Sequence, residues 1–135
     1  MSVLLKNRHE SEAQFIHTAR DLEAKTRRRC VNAPKRYTFY GLQELWATAR
    51  RIHSDVKQAN SVFPANQHEV QIRRDFFIRA RAELQDYISQ LELLLEDGIL
   101  TPTAAEELAG LVDQEDRLVK AVMKSDRTRY AKLPE

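Results

Sequence analysis

Apolar residues return every third or fourth position along almost the whole chain, which is the period of a helix with one buried face. The clearest run is Leu42, Leu45, Ala49, Ile52, Val56, Ala59 and Phe63, which alternates the two spacings without an error and predicts a bundle seam over about 38–62. Trp46 and His53 flank that seam, His53 as a satisfied edge residue or a site residue. Val70, Phe77, Ala80, Leu84, Tyr87, Ile88, Leu91, Leu94 and Leu95 predict the longest helix, about 67–96. A thinner stripe of Phe15, Ala19, Leu22, Thr26 and Cys30 predicts a helix over about 10–32. Ala104, Leu108, Leu111, Val112, Leu118, Val119 and Val122 predict a last one over about 103–125. Glu115 sits on that last stripe where a hydrophobe would fit, so it either turns outward or answers a base across the bundle.

The breaks agree with the stripes. Pro34 has no amide hydrogen and drives Ala33 out of the helical region, so the first helix should stop near Val31 or Asn32. Asn60, Ser61 and Pro64 end the second helix, and Asn66 is placed to cap the third. Gly98 suits a left-handed C-terminal position, and Thr101 or Thr103 with Pro102 resembles a helix start. No alternating run long enough for a strand exists, so the fold class is all-α. Short connections imply one domain, an antiparallel up-down four-helix bundle, with mobile termini: the first nine residues lack a pattern, and the tail from Lys124 to Lys132 should fray.

Net charge is only +2, too small to indicate nucleic acid by itself, yet its distribution is uneven. Residues 1–60 hold twelve Lys and Arg against six Asp and Glu, whereas residues 97–116 hold six acids and no base. On the third helix Arg73, Arg74, Arg79 and Arg81 stand among Asp75 and Glu83, so local ion pairing is expected to absorb much of their charge.

Little points to catalysis. The residues three before each histidine are Lys6, Gln14, Arg50 and Ala65, so the Glu-x-x-His pairs of a two-metal bundle are absent. Three scattered glycines cannot build a phosphate loop, and no nucleophile elbow is present. No catalytic residue, metal ligand or cofactor is assigned. Cys30 reads most simply as a small buried hydrophobe, with a reactive thiolate favoured by the adjacent arginines as the alternative. A single cysteine and the absence of an evident signal peptide point to the cytoplasm, and no apolar stretch nears the roughly 20 residues of a membrane span.

The chemistry concentrates at the first corner, Arg27-Arg28-Arg29-Cys30-Val31-Asn32-Ala33-Pro34-Lys35-Arg36-Tyr37-Thr38-Phe39-Tyr40. Guanidinium and ammonium groups pair with phosphate or carboxylate, and rings offer stacking faces. Arg27, Arg28, Arg29, Lys35, Arg36, Arg50 and Arg51 are therefore candidate nucleic-acid contacts, with Tyr37 and Tyr40 as candidate stacking or docking rings. A solvated elbow with its aromatics packed inward remains the competing reading, and Tyr37 in particular is either a core plug or a displayed ring.

Pro34-Lys35-Arg36-Tyr37-Thr38-Phe39, the seam from Leu42 to Ala59, the helix from Arg73-Arg74 to Leu95 and the Gly98-Ile99-Leu100-Thr101 opening together resemble one family. It is the four-helix-bundle family of the diversity-generating retroelement accessory variability protein, which includes proteins encoded in intervening sequences of bacterial ribosomal RNA genes. The resemblance covers about residues 15–127. It implies a nonenzymatic homo-oligomer, a pentameric barrel of bundles, whose basic surface binds RNA or DNA and a reverse transcriptase. The alternatives are a small helical scaffold that binds only a protein partner, and an uncharacterised enzyme.

Overall fold

The computed structural model describes residues 13–135, which are all-helical with no strand among them. Helix α1 spans Gln14–Asn32. Helix α2 begins as one α-turn, Lys35–Tyr37, passes through a π-helical turn, Thr38–Leu42, and continues as Gln43–Ser61. Helix α3 spans Gln67–Glu96 and α4 spans Pro102–Arg129. The expected start near Glu10 and the first nine residues lie outside the described part.

Each boundary has a local cause. Ala33 is extended (ψ 158°) ahead of Pro34, and the Pro34 carbonyl accepts from Tyr37 and Thr38, so α2 starts at Lys35 and not near Thr38. The Asn66 side chain accepts from the Glu69 amide at 2.9 Å while the Glu69 carboxylate accepts from Ala65 at 2.7 Å, a reciprocal cap. Gly98 takes φ +73°, which lets Ile99 donate back to Leu94. Of the two candidate threonines, Thr101 caps α4 by accepting from Ala104.

Each helix packs against the next in sequence, and α4 packs against α1. Between α1 and α2, Glu23 meets His53; between α2 and α3, Gln90 donates to Thr48. Arg73 and Arg81 of α3 meet Asp126 and Asp116 of α4, and Lys25 of α1 meets Glu107. Tyr87 and Phe77 fill the centre, with Phe15 edge-on to Phe77 at 5.5 Å. Thr26 donates to the Leu22 carbonyl at 2.6 Å, which leaves the Tyr87 hydroxyl to donate to Thr26 at 2.7 Å. Gly41 admits the tip of Leu94: a β-carbon there would lie 2.7 Å from a Leu94 methyl.

Further expectations need correction. Phe63 is 81% exposed, because α2 ends at Ser61 and Val62 is extended, so the chain leaves helical phase before Phe63. Leu95 is also exposed, one position past the last buried residue of α3. The α3 arginines pair across the bundle, with Arg73 on Asp126, Arg79 on Asp55 and Arg81 on Asp116, while Asp75 accepts from Gln71. The last helix continues to Arg129, because Arg73 anchors Asp126 and Gln67 donates from its side chain to the Tyr130 and Leu133 carbonyls and from its amide to Pro134.

Glu115 does neither thing expected of it. It is fully buried, with no hydrogen bond to either carboxylate oxygen, and burial pushes its pKa up to about 8.

Candidate nucleic-acid interface

At 100° per residue the three consecutive arginines of α1 cannot share a direction. Glu23 touches His53 of α2, so Arg27, one turn further on, also faces α2. Lys25 pairs with Glu107 of α4, so Arg29 faces the α4 side, and Arg28 points to solvent between them. All three are exposed, and they form no ion pair or side-chain hydrogen bond with any described residue.

The arginine pair of α2 divides in the same way. Arg50 lies one turn from His53 and stacks over Trp46 at 5.0 Å, which places it on the α1 side beside Arg27. Arg51 faces α3, where it donates to Thr48 at 2.9 Å and stands 3.6 Å from Glu44. Arg50 therefore joins the corner arginines and Arg51 does not. A further base, Lys57, follows Arg50 at two turns and lines the same open cleft of about 520 Å³, with Glu23, His53 and Ser61. Lys57 was legible as a seven-residue spacing from Arg50, although sequence reasoning passed over it.

His53 donates from Nδ1 to Glu23 at 2.8 Å in this cleft. That dyad resembles the oriented base of a hydrolase, but the adjacent Ser54 hydroxyl accepts from Gln58 at 3.0 Å and makes no bond to the imidazole. Among the described residues, no group of three or more His, Cys, Asp or Glu could hold a metal ion. Cys30 is buried, and that burial pushes its thiol pKa up against the opposing hydrogen bond with Thr38.

At the corner, Lys35 is exposed with no partner among the described residues, and Arg36 lies over the Tyr37 ring at 4.8 Å. Tyr37 is half-buried against the core, which makes it a partial plug. Tyr40 is 65% exposed and donates to Asp97 at 2.5 Å, and the hydrogen bond and charge of Asp97 push its phenol upward. Phe39, which sequence reasoning left out of the contact set, is 77% exposed. Its outward direction depends on the π-turn, and no residue pattern announces that turn. Arg36, Tyr37, Tyr40, Asp97 and Ile99 line a second open cleft of about 420 Å³.

The opposite side of the molecule differs in character. Ile88, Leu91, Leu95, Pro102, Ala105 and Ala109, together with Glu92 and Glu106, line a largely apolar groove of about 250 Å³ between α3 and α4. No helix among the described residues is long and apolar enough to cross a membrane. Comparison of the chain with known protein families, curated proteins and solved structures finds no match.

Proposed function

We propose that this chain is a nonenzymatic, oligomeric binder of nucleic acid and of a protein partner, working in the cytoplasm. The observation that carries the reading is the group of uncompensated cations around the first corner, most of them on the α1–α2 side, with Arg29 turned toward α4. Arg27, Arg28, Arg29 and Lys35 have no ionic partner among the described residues, and Arg50 has only an aromatic one. A surface built for stability alone gains little from leaving them unpaired, whereas a phosphate backbone neutralises them and releases its counterions. Lys57 adds to the cleft at Arg50, and Arg36 to the corner beside Lys35.

The contacts that α1 makes with α2 and α4, and that α3 makes with α2 and α4, support an antiparallel up-down bundle. In each case residues near the end of one helix meet residues near the start of the next. On the family resemblance, the partner is the reverse transcriptase of a diversity-generating retroelement, the nucleic acid is its RNA or the DNA copied from it, and the assembly is a homo-pentamer. For self-association the larger rings of α2 and α3 are not available: Tyr87 is fully buried, and Trp46 and Phe76 pack on the core. The apolar α3–α4 groove is the better candidate for that contact, and it equally favours the second reading, a helical scaffold with a protein partner only.

The test is binding of fluorescent RNA and DNA as a function of salt. Under the first reading, affinity falls steeply with ionic strength and Arg27→Ala/Arg28→Ala/Arg29→Ala flattens the dependence with helicity unchanged. Absence of binding at low salt leaves the scaffold. Light scattering addresses assembly, and a monomeric mass at high micromolar concentration removes the barrel.

A further inference from the structure

We infer that the corner takes unpaired nucleotides, a single strand of RNA or DNA, by seating a base on the open ring of Phe39; this rests on the nucleic-acid reading above. Phe39 is 77% exposed and makes no ring contact with any described residue. A ring left in water forfeits the burial that ordinarily justifies an aromatic residue. Phe63, still more exposed, lies by a cleft whose two guanidiniums are already engaged, Arg73 with Asp126 and Arg129 over the Tyr130 ring. Phe39 instead follows Lys35 and Arg36 by one turn, and neither of these forms an ion pair with any described residue.

The π-turn sets the direction. Leu42 on its far side is buried and Tyr37 before it packs on the core, so the wide turn between them carries Phe39 to the outside. Lys35 and Arg36 precede Phe39 by four and three residues, one turn away. The Thr38 hydroxyl donates to the Cys30 carbonyl at 2.9 Å, so the end of α1, with exposed Val31 and Arg28, lies alongside. On the α3 side Tyr40 is tied to Asp97, whose carboxylate repels phosphate there. The path left for a polyanion runs from Phe39 past Arg28 and Arg27 into the groove at Arg50.

Ring and cations together select the class of ligand. Cations alone take any phosphate backbone, duplex included. A paired base keeps its faces stacked within the helix, whereas an unpaired base presents a face that a protein ring can cover. An acidic polypeptide could meet the same charges, but it could use the ring only through an aromatic residue of its own, whereas every nucleotide brings a flat base.

The experiment measures anisotropy of labelled oligo-dT, oligo-U and a blunt DNA duplex of equal length, with wild type, Phe39→Ala, Phe39→Leu and Phe39→Trp. Single strands should bind more tightly than duplex. Phe39→Ala and Phe39→Leu should weaken single-strand binding on the order of tenfold, the effect of losing one stacked base, and leave the duplex and the salt slope unchanged. Phe39→Trp should restore it. A preference for oligo-U or oligo-dT within that pattern says whether RNA or DNA is the natural strand.

Equal binding of duplex and single strand, or indifference to Phe39→Ala, overturns this inference and leaves the nucleic-acid reading standing. Binding to none of the three probes overturns both. Competition by a Trp-containing poly-glutamate peptide at equal concentration and salt reassigns the corner to an acidic protein segment. Because Phe39 is exposed, all four proteins should melt alike, and a variant that melts early is judged by its Leu or Trp counterpart.

Discussion

Arg73 and Asp126 meet inside the bundle, with the guanidinium Nε donating to one carboxylate oxygen at 2.6 Å and a second nitrogen 3.4 Å from the other. The remaining Arg73 nitrogen donates to the Ala59 carbonyl at 3.0 Å, so one side chain ties the end of α2, the start of α3 and the end of α4. Breaking a buried pair leaves a charge uncompensated and costs about 3 to 5 kcal/mol, whereas replacing both partners with apolar groups can be neutral. Urea unfolding of Asp126→Ala should show that loss, and Arg73→Met/Asp126→Leu should recover most of it. A single variant as stable as wild type would remove the pair from the account of α4's length.

Glu115 should make stability fall as pH rises. Unfolded, its carboxyl titrates near the ordinary 4.5; folded, burial holds it at about 8. Between those values the folded chain keeps a proton that the unfolded chain has lost, so this contribution is full below pH 4.5 and lost towards pH 8. Glu83, pushed to about 8 by burial and then by Asp55, against Arg51 and Arg79, adds the same sign more weakly because it is better solvated. Glu115→Leu should gain roughly 1 to 4 kcal/mol in mildly alkaline buffer and flatten the slope. If only Glu83→Gln flattens it, Glu115 is not its origin.

Tyr87→Phe isolates the hydroxyl from the ring. The ring stays in the core and Thr26 keeps its bond to Leu22, so the expected cost is the net value of one hydrogen bond, about 0.5 to 1.5 kcal/mol. Denaturant midpoints measure it, and a loss several times larger would mean that the hydroxyl also orders its neighbours.

Arg50→Ala and Arg51→Ala should separate although the residues adjoin. The first should weaken nucleic-acid binding and reduce the salt slope by about one. The second removes a partly exposed contact to Glu44 and Thr48, so it should leave binding unchanged and alter stability by under about 1 kcal/mol. Equal effects on binding would mean that the groove between α1 and α2 is not the path.

The stripes were readable because burial imposes helical periodicity: Leu45, Ala49, Ile52, Val56 and Ala59 are all buried as their spacing requires. Caps at Asn66 and Thr101 and the stop at Gly98 were readable because they need particular side chains. Arg73 and Asp126 were not, since a charge enters the core only when a distant residue answers it, and nothing in the chain states which one. Arg50 and Arg51 looked equivalent because adjacency in sequence hides the 100° between them, and Glu115 broke the rule that buried acids are paired.

The π-turn between Thr38 and Leu42 has a consequence for how this molecule can change over generations. A π-turn is an α-turn with one residue inserted, and the surplus is absorbed locally instead of being passed down the helix. The seam from Leu45 onward therefore keeps its phase whatever stands at Phe39 or Tyr40. A replacement at Phe39 is screened only for what it touches outside, and one at Tyr40 also for its bond to Asp97, so the corner can be rewritten for a new ligand while the interior is inherited unaltered.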